Sequence, residues 1–303
     1  MRSPEGRTAL PPAPGVVKRW EENVRTLSSL GLLSIDTDTK LLGIRWVDGT
    51  HYPIPTPAMI EERMRKDPVL AEKMAQGFDV KNFILTPFAL PLDTLVAALG
   101  KATLAQYKKG GNKLTSTNGD TLELNEDEPL WAWDQYKGAD VNGSLIYHPQ
   151  RFTKDNHGGS TKAELLKNPE NAWRILLLEE NPDIPREGKG KTTGGRKQIE
   201  ANSTAAEYLS ALQTDPIYRR EQGLTPEDEI VHALIHLTEQ QHIINDYQGP
   251  GTIPFLTGAY FPASGDVPCL YWDRDNRQWY LGRGDPQDRG GNCGFRPGVG
   301  VSA

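Results

Sequence analysis

A chain of 303 residues with 37% hydrophobic and 24% charged positions carries enough apolar material for a packed core, which excludes wholesale disorder. Its formal net charge of −6 argues against nucleic acid as the main partner, because phosphate contacts need a basic face. The only cysteines are Cys269 and Cys293, too few for a disulfide-stapled scaffold, and no run approaches the roughly 18 apolar residues of a membrane span.

The N-terminus, MRSPEGRTALPPAPG, lacks the apolar segment of a secretory signal, and residues 1 to about 15 read as a Pro-rich tail. Val16 to Leu33 has helical spacing, with Val17, Trp20, Val24, Leu27 and Leu30 near one face. Leu41 to Val47 is expected to be a strand ended by the Asp48-Gly49 turn, and Pro57 to Gly77 a helix broken at Pro68. A soft boundary falls near Phe78. It divides a smaller N-terminal α/β region, 1–78, read as a tether or accessory domain, from a main domain over 79–303. Asp93 to Lys109 reads as a helix with Asp93 as N-cap and Gly110-Gly111 as its stop.

Short aromatic runs from Leu114 to His148 alternate with turn signals, and Trp173 to Leu178 has the composition of a buried strand. Thr204-x-x-Glu207 has the spacing of a capping box. Thr225-Pro226-Glu227-Asp228 supplies an N-cap, a first-turn Pro and acids at the positive helix end. Beyond Gln248 the chain is rich in Gly and Pro, with aromatic strands near Tyr260, over Leu270 to Trp272, and over Gln278 to Leu281. Helices and strands mix without a βαβ rhythm, so the fold class is α+β.

Several segments invite chemistry that their details do not support. Gly188-Lys189-Gly190-Lys191-Thr192 suggests a phosphate loop, yet the position of its first glycine is held by Pro185, which has no N–H to offer. His232 and His236 share a helix face, but Ala233 stands where a zincin needs Glu, so a metal site is not expected. Glu179-Glu180 and Glu126/Glu128 read as solvated faces, and no activated nucleophile is visible.

The informative segment is Val267 to Pro297. Its close, Pro286-x-x-Arg289-x-x-x-x-Gly294-Phe295-Arg296, resembles the last strand pair of the C-type-lectin-like variable proteins of diversity-generating retroelements. In those proteins a reverse transcriptase miscopies template adenines, scattering Asn-type codons to many amino acids but never to Glu, Lys, Gln, Trp or Met. Tyr271, Asp273, Arg274, Asp275, Gly282, Arg283, Gly284, Asp285, Asp288, Gly290, Gly291, Asn292 and Cys293 all fall in the reachable set. The unreachable Gln278, Trp279 and Gln287 fall where scaffold is expected. The likeness extends to Gly223 to Glu229, Phe255 to Pro268, Ile184 to Thr193 and Trp131-x-Trp133-Asp134.

The resemblance implies a C-type-lectin-like (formylglycine-generating-enzyme-type) domain with a variable region over about 267–297. It also implies a non-enzymatic display protein, on a virion or cell surface, that binds a protein or glycan receptor. Tyr271 and Tyr280 would be aromatic anchors and Arg283 and Asp285 polar ones, with the other reachable positions around them. Trp272, Leu281, Phe295 and Arg296 would be scaffold, Arg296 pairing with a carboxylate beneath the surface. Asp273, Asp275 and Asp285 form no Glu-Pro-Asn-type calcium cage, so no metal or cofactor is expected. No membrane insertion is expected, and a monomer is favoured over an oligomer. The rival from the same architecture is a formylglycine-generating-enzyme-like oxidase, which would need Cys269 and Cys293 together in a cleft with depressed thiol pKa values.

Overall fold

The computed structural model describes residues 14–301, so the Pro-rich tail lies almost wholly outside it. The protein is mixed α/β, with seven small sheets of two to four strands among the described residues. These ladders do not by themselves identify a C-type-lectin-like topology.

Helix α1 (Pro14–Ser29) is followed by a three-stranded meander of β1 (Ser34–Ile35), β2 (Leu42–Arg45) and β3 (His51–Pro53). Pro68 divides the next helical stretch into α2 (Pro57–Lys66) and α3 (Pro68–Ala75), with Thr56 and Asp67 as N-caps whose side chains accept from backbone amides. The remaining elements that shape the molecule are β4 (Phe78–Thr86), α4 (Leu92–Lys109), β5 (Leu130–Ala132), β6 (Arg174–Glu179), α5 (Ala205–Thr214), β7 (Glu221–Gly223) and α6 (Pro226–Ile235). They are followed by β8 (Val267–Asp273), β9 (Gln278–Gly284) and β10 (Pro297–Gly300).

The largest sheet is antiparallel throughout, in the order β7–β10–β6–β4, so β10 is inserted between strands far earlier in the chain. Its inner positions, among them Phe83, Ile84, Ile175, Leu177 and Val299, are buried in one continuous core with Ile230, Leu234 and Trp272. That core also takes in Val16, Leu27 and Ile60, so it runs across residue 78 without a break. Phe78 opens β4, and α1 is bound to that strand: Asn23 accepts from the Leu85 amide at 2.9 Å, and Arg19 donates to the Phe83 carbonyl at 2.9 Å. The boundary expected at Phe78 therefore falls inside a strand.

Helix α4 corrects a second expectation. It begins at Leu92 after Pro91 with no side-chain cap, and Asp93 instead accepts from the Gly138 amide at 3.1 Å.

Helix α6 is the hub of the polar interior. Thr225 and Asp228 form a reciprocal capping box, and Glu227, Asp228 and Glu229 are all fully buried. Each meets a cation from a different segment. Glu227 lies 2.7 Å from Lys162, which also meets Asp140 at 2.7 Å. Asp228 pairs with Arg174 at 2.9 Å, and Glu229 with Arg296 at 3.5 Å. Charges so far out of water persist only when compensated, so these contacts fix how four distant stretches of chain meet. Burial alone would raise the Glu229 carboxyl, but the Arg296 charge and the His232 and Asn245 contacts outweigh it and hold it at about 2.

Candidate functional site

Strands β8 and β9 form a hairpin through the Arg274–Arg277 turn, in the register Trp272↔Trp279, Tyr271↔Tyr280 and Leu270↔Leu281. Because side chains alternate across a strand, Leu270, Trp272, Trp279 and Leu281 enter the main core while Tyr271 and Tyr280 emerge on the other face. Strand β5 runs parallel to β9 and sets Trp131 opposite Tyr280.

The result is an aromatic ridge. Trp131 stacks on Tyr280 with centroids 4.3 Å apart, Tyr280 stacks on Tyr271 at 5.0 Å, and Tyr247 meets Tyr271 edge-on at 5.1 Å. All four rings are half-buried. The stacked rings turn their faces on one another, so edges and hydroxyls are what the ridge offers to a partner. Burial, with the neighbouring thiol, phenol and Asp273 charges, raises the Tyr271 phenol, keeping it neutral.

The rest of this face is closed by a second, smaller core of Phe255, Tyr260, Val267, Cys269, Tyr208 and Phe295. Phe295, expected to share a floor with Trp272 and Leu281, belongs to this cluster and stacks on Tyr208 at 4.6 Å. Trp272, Leu281 and Phe295 are all buried, as is Arg296, which also donates to Asn245 Oδ1 at 3.2 Å and to the Pro182 carbonyl.

The reachable positions divide into three groups. Asp275, Arg283, Asp285, Asp288 and Gly291 are exposed, and Tyr271, Arg274, Tyr280, Gly284, Gly290, Asn292 and Cys293 are half-buried. Asp273 and Gly282 are buried, which removes them from the displayed set. Asp273 has turned inward to hold the hairpin turn, accepting from the amides of Asp275 at 2.9 Å and Asn276 at 3.2 Å. Gly282 lies beneath the Tyr280 ring, where a Cβ would come within 2.1 Å of Cε1. Gly284 is similarly restricted, since a Cβ there would meet the Phe255 ring at 2.3 Å.

Arg274 is committed as well. It holds Asp246 through Nε at 2.8 Å and through an Nη at 2.6 Å, and it reaches Asp120 at 2.7 Å. Arg283 pairs with Asp266 at 3.0 Å and lies 4.6 Å from the Trp133 ring centroid. Among the described residues, Asp285 and Asp288 accept only from backbone amides of their own turn.

Sequence reasoning missed Tyr247 and placed Trp131 with the scaffold. Trp131 joins the site through pairing with a strand 149 residues further on and Tyr247 through packing on Tyr271, 24 residues away, and no local pattern records either contact.

The other candidate chemistry resolves into structural roles. The amides of Gly188 and Gly190 donate to the Glu200 carboxylate at 3.1 and 2.7 Å, so an internal anion fills the place a phosphate would take. The His232 and His236 rings meet edge-on at 4.7 Å in the interior, where burial and nearby cationic groups lower both. His242 lies apart, in the ladder beside Leu114–Ser116. Among the described residues no group of three or more His, Cys, Asp or Glu is arranged to hold a metal, and no helix is long and apolar enough to cross a membrane. Both cysteines are free; burial pushes the Cys269 thiol up to about 12 and also raises Cys293.

The chain matches no family model, no curated protein and no solved structure.

Proposed function

We propose that this chain is a non-enzymatic display protein that binds a protein or glycan receptor through the Trp131–Tyr280–Tyr271–Tyr247 ridge and the charged loop that follows β9. In this reading it is a variable protein of a diversity-generating retroelement on a C-type-lectin-like scaffold. The observation that carries the proposal is a row of four half-exposed aromatic rings on a hairpin whose opposite face is locked into the core. Tyrosine and tryptophan give large, rigid contacts at low entropic cost, which makes them frequent anchors of binding surfaces. Asp275, in the hairpin turn beside Tyr247, and Asp285 and Asp288, in the loop after β9, are exposed and do not serve the core, as positions open to substitution must. Sugars stack on ring faces, and here the faces are largely taken up by one another, so the ridge favours a protein receptor. The rival oxidase reading needs a reactive thiolate, which the burial of Cys269 opposes.

The test is a parallel selection, on a glycan array and on a displayed protein library, with the wild type and a Tyr271→Ala/Tyr280→Ala variant. Ligands taken by the wild type and lost by an equally folded variant support the reading. Ligands retained by the variant refute the ridge as the site. Diversification is tested separately by the gene's neighbourhood, where a reverse transcriptase should accompany an adenine-rich near-copy of the segment encoding residues 267–297; its absence refutes that part.

A further inference from the structure

A second concavity, sharing no residue with the ridge, lies where the open ends of β6, β7 and β10 meet the 165–173 turn and helix α2. Its volume is about 480 Å³, within the range of small-molecule pockets. Phe88, Leu165 and Trp173 supply apolar wall, and Asn168, Asn171 and Gln222 supply carboxamides. Arg63, Arg174 and Arg220 line it against Glu170 and Glu221. The Glu221 carboxylate is already held from beneath by Lys73 and Arg196, each at 2.7 Å.

Two groups in this cleft have unused capacity. Asp228 fixes Arg174, and an Arg174 Nη lies 2.8 Å from His148 Nε2. Arginine can only donate, so Nε2 accepts and the ring proton sits on Nδ1, for which the described residues provide no partner. Burial and the Arg174 charge hold His148 at about 3, leaving it a neutral donor at any ordinary pH. Its backbone lies in the left-handed region at φ 53°, a costly conformation for a non-glycine residue. The second group is Arg63. Its side chain is only 16% exposed, yet its one ion pair, to Glu170, is at 4.0 Å, and among the described residues its guanidinium makes no hydrogen bond. Its guanidinium lines the cleft with donors free to meet a ligand's acceptor.

We propose that this cleft binds a small organic carboxylate, its oxygens taken by Arg63 and the His148 Nδ1–H and its apolar body lying against Phe88, Leu165 and Trp173. The proposal is independent of the receptor surface. It gives helix α2 a role as one wall of a ligand site.

The experiment uses the full chain and ligand-observed NMR titrations with benzoate, phenylacetate and indole-3-acetate, each beside its uncharged amide. At least one carboxylate should bind about tenfold or more tightly than its amide, the scale of a charge-assisted hydrogen bond. Arg63→Met should erase that preference while leaving the amide unchanged, and Arg63→Lys should restore part of it. Gln222→Leu, on the opposite wall, should weaken all the ligands without removing the preference, and Tyr271→Ala/Tyr280→Ala should change nothing. The proposal is overturned if none of the three carboxylates binds at millimolar concentration, if amides bind equally well, or if folded Arg63→Met keeps the preference. Inorganic phosphate competing as well as the carboxylates would overturn the assignment of ligand class.

Discussion

Replacing Arg274 by alanine separates a displayed position from a structural one. Its codon type would make Arg274 as free to vary as Asp275, but in the folded protein it is the cation for Asp246, which is 1% exposed. Removing one partner of a buried pair costs about 3–5 kcal/mol, because the remaining charge is left uncompensated. Arg274 is itself 30% exposed at the side chain, so water recovers part of that, and we expect about 2–3 kcal/mol. Even the lower figure is about thirtyfold in the folding equilibrium. With a urea m-value of about 2–3 kcal/mol/M, the midpoint should fall by roughly 1 M. Asp246→Asn should be nearly silent in the Arg274→Ala background while destabilising the wild type, giving a coupling energy of about 1–2 kcal/mol in the double-mutant cycle. The matched control is the triple change Asp275→Asn/Asp285→Asn/Asp288→Asn, expected to shift stability by no more than about 0.5 kcal/mol at each site. Arg274→Ala unfolding within 0.5 kcal/mol of wild type, on the surface-substitution scale, would refute the argument and return Arg274 to the freely variable set.

Phe295→Ala should cost about 3–5 kcal/mol in chemical denaturation, since it opens a cavity against Tyr208 and Phe255; a fully stable variant would contradict its place in the second core. In the native protein at pH 8, iodoacetamide should alkylate Cys269 far more slowly than Cys293, because Cys269 is buried with its thiol pushed up to about 12; equal rates by mass spectrometry would show that the cluster opens. His148, His232 and His236 are all depressed below the free imidazole value of 6.5, so each binds its proton more readily in the unfolded chain. Their contribution is whole above that value and is lost as pH falls through it, by up to about 1.4 kcal/mol per pH unit for each histidine. Glu229, held at about 2, adds a further loss below its ordinary carboxyl range. Urea midpoints should therefore drop steadily from pH 7 to pH 4, and a flat profile would refute the interior placement of these groups.

What could be read from the sequence was chemistry that completes itself within one turn of chain. Thr204 with Glu207 and Thr225 with Asp228 start helices because cap and partner are three residues apart. Pro68 breaks a helix by its own ring, and the β8–β9 hairpin is foreshadowed by two aromatic runs around a polar turn. Interactions that depend on distant segments left no such trace. Acids opening α6 look in sequence like residues facing water and a helix dipole, and only the arrival of Lys162, Arg174 and Arg296 makes them interior groups. Asp273 and Asp275 are the same residue type two positions apart, yet one holds the turn from inside and the other faces solvent. Glu200 answers the glycine-rich loop from beyond its end, so the loop read alone showed only unfilled amides.

The position of β10 bears on how the protein is made. The chain leaves the ribosome from its N-terminus at about 5–20 residues per second, and β6 and β7 emerge well before Pro297–Gly300. Until that strand arrives they have no neighbour between them, and Glu229 waits without the Arg296 cation. The nascent molecule must therefore carry an open seam through its largest sheet for several seconds of translation. That seam is where a chaperone would be needed, and a ribosome stalled just short of residue 296 should hold a chain that proteases cut readily on both sides of it.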